Sequence, residues 1–211
     1  MVRRTIIMLI LSLCSSLLSA QGGLAVMSEE ESFAFEQLIA SRSASTVSLV
    51  ADFRQEKSME ILKKKMVSTG QFIYAKSDKI AFLYQKPQQY SMIITGTRLK
   101  TVSGGKSSVM ELKNNPVMKQ MNVLISAAFL GNFSAKSGSY KISYSKGKDV
   151  VVANVLPVSK EISSIIKRIT VTFGSSGGEI REITVYEANN STTDYIFTNH
   201  KLNSAIPDEV F

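Results

Sequence analysis

Cys14 and His200 are the only cysteine and the only histidine in the 211 residues. A zinc cluster takes about four Cys or His ligands, so the count excludes one. It excludes a disulfide framework as well. A Ser-His-Asp or Cys-His site would have to be built on His200, which falls near the end of the last expected strand without a candidate partner. We read His200 as a surface or packing residue. The carboxylates Glu56, Glu60, Glu111, Glu179, Glu182 and Glu187 are scattered, and most fall at turns or on solvent faces, so no acid/base pair can be assigned. Ser103-Gly104-Gly105-Lys106-Ser107 resembles the end of a phosphate-binding loop, but Lys100 stands where its first glycine is needed and no helix follows. It reads as a hairpin turn. The chain is therefore expected to be no enzyme and to need no metal or cofactor.

The elements that could position a site begin after a targeting segment. Arg3 and Arg4 precede an apolar run from Thr5 to Leu18, and Ser19-Ala20 is a small-residue exit. That is the layout of a secretory signal, with cleavage expected after Ala20 and a single domain over 21–211. The run is short for a membrane span, which needs roughly 20 residues. Cys14 lies inside the run behind Leu13, a poor context for lipidation. The composition, 44% hydrophobic and 20% charged with four prolines, is that of a globular chain. Its net charge of +8 loses Arg3 and Arg4 with the signal and stays basic. This suggests an acidic partner or anionic surface; aromatic and basic residues are not interleaved as a nucleic-acid platform requires. The densest basic run, Lys63-Lys64-Lys65, falls at an expected hairpin turn and reads as solvated.

Gln21 to Ser28 reads as a flexible leader. Ser28 with Glu31 makes a capping box, and Phe33, Phe35, Leu38 and Ile39 form an apolar stripe, predicting a helix over 29–41. The period then changes to two. Val47, Leu49, Ala51 and Phe53 alternate with polar residues, although Val50 breaks the pattern. Phe72 and Tyr74, then Ile80, Phe82 and Tyr84, then Tyr90, Met92 and Ile94 continue it, and strands follow to Thr198. Turn residues every ten to fifteen positions predict an antiparallel meander, mainly β. Alternation places Phe53, Phe72, Ile80, Phe82, Tyr84, Met92 and Ile94 on one face of the sheet. Phe72 and Tyr84 are the positions most open to the opposite register, since Ile73 and Leu83 are also apolar.

One segment interrupts the meander. Asn114-Asn115-Pro116 is a helix start, Gly131 a stop, and Met118, Met121, Leu124, Ile125 and Phe129 recur at helical spacing between them. With Val117 and Val123 the apolar surface exceeds one packing face, which suits a lid whose methionines adapt to variable guests.

The order and spacing of these residues resemble the periplasmic outer-membrane lipoprotein carrier protein (LolA) family. The resemblance rests on Phe53-Arg54-Gln55, Gly70-Gln71-Phe72-Ile73-Tyr74, Lys79 to Tyr84, Pro87, and Ile93-Ile94-Thr95-Gly96 with Leu99. Two departures stand out. Lys76-Ser77 replaces the family's Arg-Pro, whose arginine latches the lid; lysine lacks the forked geometry. Phe82 stands where the family often has tryptophan.

The resemblance implies an incomplete antiparallel barrel, an N-terminal helix and a helical lid over an apolar cavity. The seven face residues would line that cavity, Met118 to Phe129 would close it, and Lys76 would be the latch. It implies a monomeric periplasmic carrier of lipoprotein acyl chains, loaded by an inner-membrane ABC exporter and unloaded at an outer-membrane receptor or at the membrane itself. Alternatives are an anchored receptor of the same fold, if Cys14 is lipidated, and a periplasmic lipid or lipoprotein sensor. A buried methylene is worth ~0.8 kcal/mol, so one chain of ~15 methylenes leaves a membrane against about 12 kcal/mol and needs a carrier.

Overall fold

The computed structural model describes residues 23–60, 63–77, 79–112 and 140–211. The targeting segment and the predicted lid, with Met118, Met121, Leu124, Ile125 and Phe129, lie outside the described residues.

Among the described residues, twelve antiparallel strands form one open sheet. They are β1 (Ala25–Val26), β2 (Ser48–Met59), β3 (Lys64–Ala75), β4 (Lys79–Lys86), β5 (Tyr90–Thr95), β6 (Arg98–Ser103) and β7 (Lys106–Glu111), then β8 (Tyr140–Lys146), β9 (Val150–Pro157), β10 (Ile166–Gly174), β11 (Ile180–Glu187) and β12 (Thr192–Leu202). Their order is β1-β8-β9-β10-β11-β12-β2-β3-β4-β5-β6-β7. Two meanders thus join where the last strand, β12, pairs with β2. β7 and β8, which residues 113–139 connect, belong to opposite ends of the sheet.

Turn chemistry fixes the registers. Gly104 and Gly105 both have positive φ, 55° and 75°, in the two-residue turn that pairs Ser103 with Lys106. Asn190, at φ 63°, turns β11 into β12. Gly70 has a different reason. It lies opposite Phe53, and an added Cβ would come 2.9 Å from both the Leu83 carbonyl carbon and the Phe53 ring, and closer still to the Leu83 oxygen.

Helix α1 (Glu29–Ser45) starts at the expected capping box: the Ser28 hydroxyl accepts from the Glu31 N–H, and the Glu31 carboxylate accepts from the Ser28 N–H. It runs one turn beyond the expected end, where the Ser45 and Thr46 hydroxyls bond back to the Arg42 carbonyl. Only Phe35 and Ile39 of the apolar stripe are buried, one helical turn apart; Phe33 and Leu38 are exposed. A four-residue helix, α2 (Lys160–Ser163), was not anticipated; the Ser159 hydroxyl caps it and Ile162 buries its single apolar side chain. The leader is also partly structured, since β1 pairs Ala25 and Val26 with Lys146 and Ser145.

Each face of the sheet carries a core. The main core joins inward side chains from β8 round to β6 with Phe35 and Ile39 of α1. A smaller core on the other face joins Val50, Ile73, Ala81, Leu83 and Ile93 to Ile206, Val210 and Phe211. Val50 therefore breaks the alternation because the C-terminal segment packs over that face. The Lys79 ammonium lies 5.4 Å from the centre of the Phe211 ring. Val47, expected to point inward, is exposed and precedes β2; Ser48 is buried instead, its hydroxyl donating to the Ser204 carbonyl at 2.6 Å.

Candidate functional site

The inner face is built of aromatic rows at the β12-β2-β3-β4 centre. Register puts Phe53 opposite Phe197 and Phe72 opposite Phe82, with Ile80 opposite Ile94 and Phe82 opposite Met92. Edge-on contacts hold the rings: Phe72 to Phe82 at 5.0 Å, Phe53 to Phe82 at 5.6 Å, Phe72 to Phe197 at 5.5 Å. Such geometry is favourable for rings whose edges are positive and faces negative. Phe53, Phe72, Ile80, Phe82 and Ile94 are buried in one core, and Tyr84 and Met92 pack half-buried against it. All seven share a face, and Ile73 takes the opposite one with Leu83.

The two ends of this face differ. At one end α1 covers it. Phe35 meets Tyr144 at 5.7 Å and Phe173 at 5.4 Å, and Ile39 adjoins Leu49, Tyr74 and Ile180. A cavity of about 30 Å³, room for one water, remains there beside Arg42, Glu179 and His200. His200 is not without a partner as expected: its Nε2 lies 2.7 Å from the Ile180 carbonyl oxygen. Arg42 donates to the Gly177 carbonyl and pairs with Glu179 at 3.8 Å, tying α1 to the β10–β11 turn.

The other end is rimmed by hydroxyls. Tyr84 packs on Phe53 at 4.9 Å and on Tyr90 at 5.6 Å; its hydroxyl is 3.5 Å from that of Tyr195, which accepts from the Gln55 amide at 3.2 Å. Burial raises the pKa of both Tyr84 and Tyr195, so both stay neutral donors. Beyond them Lys57 pairs with Glu187 at 3.1 Å. Tyr140, at the β8 end, is pushed up to about 12 by burial.

Tyr195, Phe197, Tyr90 and Gln55 were not among the expected face residues. Tyr195 and Phe197 alternate, but nothing local reveals that β12 pairs with β2. Lys76 reaches the Ala44 carbonyl at 3.4 Å, at the end of α1. A groove of about 330 Å³ runs between α1 and β8, and Phe33 lines it with Met27, Glu36 and Ile142. No group of three or more His, Cys, Asp or Glu that could hold a metal occurs among the described residues. No helix among them is long and apolar enough to cross a membrane.

Among the described residues, the molecule is thus an open antiparallel sheet with an aromatic inner face, the Tyr84–Tyr195 hydroxyls at one end and Arg42 with Glu179 at the other. The chain belongs to the outer membrane lipoprotein carrier protein LolA family, whose model matches residues 44–211. No curated relative matches. Among solved structures it is similar to the Pseudomonas aeruginosa MucA/MucB complex, at TM-score 0.51 and 13% identity, covering 83% of this chain and 58% of that one. It is also similar to a LolA superfamily protein from Nitrosomonas europaea (TM-score 0.46, 11% identity, 83% and 96% covered). Lipoprotein LppX from Mycobacterium tuberculosis gives TM-score 0.47 at 11% identity, with 85% and 99% covered.

Proposed function

We propose that this protein, freed of residues 1–20, is a periplasmic carrier. It takes up the acyl chains of lipoproteins released from the inner membrane and delivers them to the outer membrane. The observation that carries this reading is the apolar face that joins Leu49, Phe53 and Phe72 to Met92 and Ile94 in one core, with the Lys57–Glu187 pair at its rim. Acyl chains would lodge along Phe53, Phe72, Ile80, Phe82, Tyr84, Met92 and Ile94 by parting these packed side chains, entering between the half-buried tyrosines. The segment 113–139 joins opposite ends of the sheet order, so Met118, Met121, Leu124, Ile125 and Phe129 are suited to close over them. The exporter and receptor partners follow from the family. Lys76, which bonds to the end of α1, is the candidate latch between lid and barrel.

The test is release of radiolabelled lipoprotein from spheroplasts by purified protein, with thermal melting alongside. Wild type should release cargo. Ile125→Asp should abolish release while lowering the melting temperature less than Phe82→Asp, because a lid can turn the charge into water. Equal melting losses would make 113–139 core rather than lid. Normal release by Ile125→Asp would place the cargo elsewhere.

A further inference from the structure

The inner face changes chemistry in steps at its tyrosine end. Register pairs Phe197 with Phe53, then Tyr195 with Gln55, then Thr193 with Lys57. Alternate residues of a strand share a face, so these pairs follow one another outward. Tyr84 reaches the middle step from β4. It lies opposite Gly70, which is itself opposite Phe53, and the missing side chain at Gly70 lets the Tyr84 and Phe53 rings meet at 4.9 Å over β3. The face thus runs from aromatic rings to neutral hydroxyls and an amide, and then to the Lys57–Glu187 pair.

The middle step holds a spare donor. The Gln55 amide donates to the Tyr195 hydroxyl at 3.2 Å, and the Tyr84 and Tyr195 oxygens are 3.5 Å apart, so that one donates to the other. Each tyrosine brings a single proton. Whichever ring donates, the other O–H has no acceptor among the described residues, and neither has the second N–H of Gln55. Tyr144 at the α1 end is the contrast, since its hydroxyl donates to the Glu36 carboxylate at 2.9 Å. Tyr84 and Tyr195 are half-buried, where an unpaired donor costs stability and an acceptor removes that cost.

The charge of the acceptor is set as well. Lys57 is matched by Glu187 at 3.1 Å, and Glu187 also accepts from the Thr193 hydroxyl at 3.2 Å. Lys86 of β4 is exposed, where water and salt screen its charge. The Glu187 charge acts on Tyr195 itself, helping to hold the phenol neutral. An anion at Tyr195 would meet that negative charge; a neutral carbonyl would not. We propose that Tyr84, Tyr195 and Gln55 form a carbonyl-binding step. The free tyrosine O–H and the Gln55 amide donate to the ester or amide carbonyl at the head of an acyl chain whose methylenes lie along the aromatic rows. The site thereby separates acylated lipids from plain hydrocarbon and from free fatty acid. This inference rests on the carrier reading and specifies which part of the cargo is recognised.

The experiment measures displacement of N-phenylnaphthylamine from the purified protein at about pH 8, where tyrosine is neutral and palmitate ionised. Methyl palmitate should compete at lower concentration than palmitate or hexadecane. A neutral hydrogen bond is worth about two- to tenfold. Tyr84→Phe with Tyr195→Phe should therefore weaken methyl palmitate about tenfold and leave hexadecane unchanged. Tyr144→Phe should change neither. Gln55→Met should give a smaller loss in the same direction, and it serves if melting shows that the tyrosine pair does not fold. Equal competition by methyl palmitate and hexadecane, or equal loss of both in the tyrosine variant, overturns the proposal and leaves the carrier reading standing. Palmitate competing as well as methyl palmitate overturns the selection of a neutral carbonyl. A tripalmitoyl-cysteinyl peptide and dipalmitoylphosphatidylcholine carry the same carbonyls. The tighter competitor identifies the source, lipoprotein or phospholipid, and should lose about tenfold in the tyrosine variant; no loss overturns the proposal. Displacement by none of these compounds sinks the carrier reading and this inference with it.

Discussion

Gly70→Ala isolates the closest packing on the inner face. Gly70 is not at a positive φ, so the substitution introduces no αL strain; the obstacle is space. The added methyl would meet the Leu83 carbonyl of β4 first and Phe53 Cε1, 2.9 Å away, second. The ring could tilt, but the carbonyl is part of the β3–β4 ladder, so the two strands must separate beside the Thr69–Gly70 bulge. Overpacking a tight core costs about 1–3 kcal/mol. A backbone obstacle argues for the upper end, less about 0.4–1 kcal/mol regained from a stiffer unfolded chain. The net of about 2 kcal/mol lowers the melting temperature by roughly 4–8 °C in a protein of this size. Calorimetry on the wild type, Gly70→Ala, and Gly70→Ala with Phe53→Leu is the assay. The second change should add its own loss rather than restore stability, because shrinking the ring leaves the Leu83 carbonyl in place. Rescue by Phe53→Leu, or a Gly70→Ala melting temperature within 1 °C of wild type, would refute the reasoning.

Removing residues 206–211 should destabilise the fold measurably in urea, because Ile73, Ala81 and Ile93 lose the cover of Ile206, Val210 and Phe211. Glu182 is raised by burial and by Asp194. Its contribution is full below about pH 4 and is lost as pH rises through its folded value, so Glu182→Gln should melt above wild type at neutral pH and lose that advantage in acid. Burial pushes Glu179 up, but its own backbone N–H, Arg181 and Arg42 outweigh that and hold it below the usual range. Its contribution is present above about pH 4 and disappears as pH falls through the lower folded value; Glu179→Gln should melt below wild type at neutral pH and converge with it in acid.

The sequence by itself determined the features that depend on neighbours along the chain. Ser28 and Glu31 announce the start of α1, Gly104-Gly105 dictates a hairpin, and period-two alternation assigns Phe72 and Phe82 to one face. One cysteine and one histidine limit the chemistry before any fold is known. The tertiary structure alone decided what depends on distant pairing. Which residues of the α1 stripe are buried was decided by the sheet beneath: Phe35 meets Tyr144 and Phe173 there, and Ile39 adjoins Leu49 and Tyr74. Val50 is apolar because a segment more than 150 residues later covers its face. Tyr195 and Phe197 join the inner face because β12 closes on β2, and His200 meets Ile180 because β11 lies beside β12. Alternation fixes which side of a strand is apolar, but only strand order and the covering segments fix what that side touches.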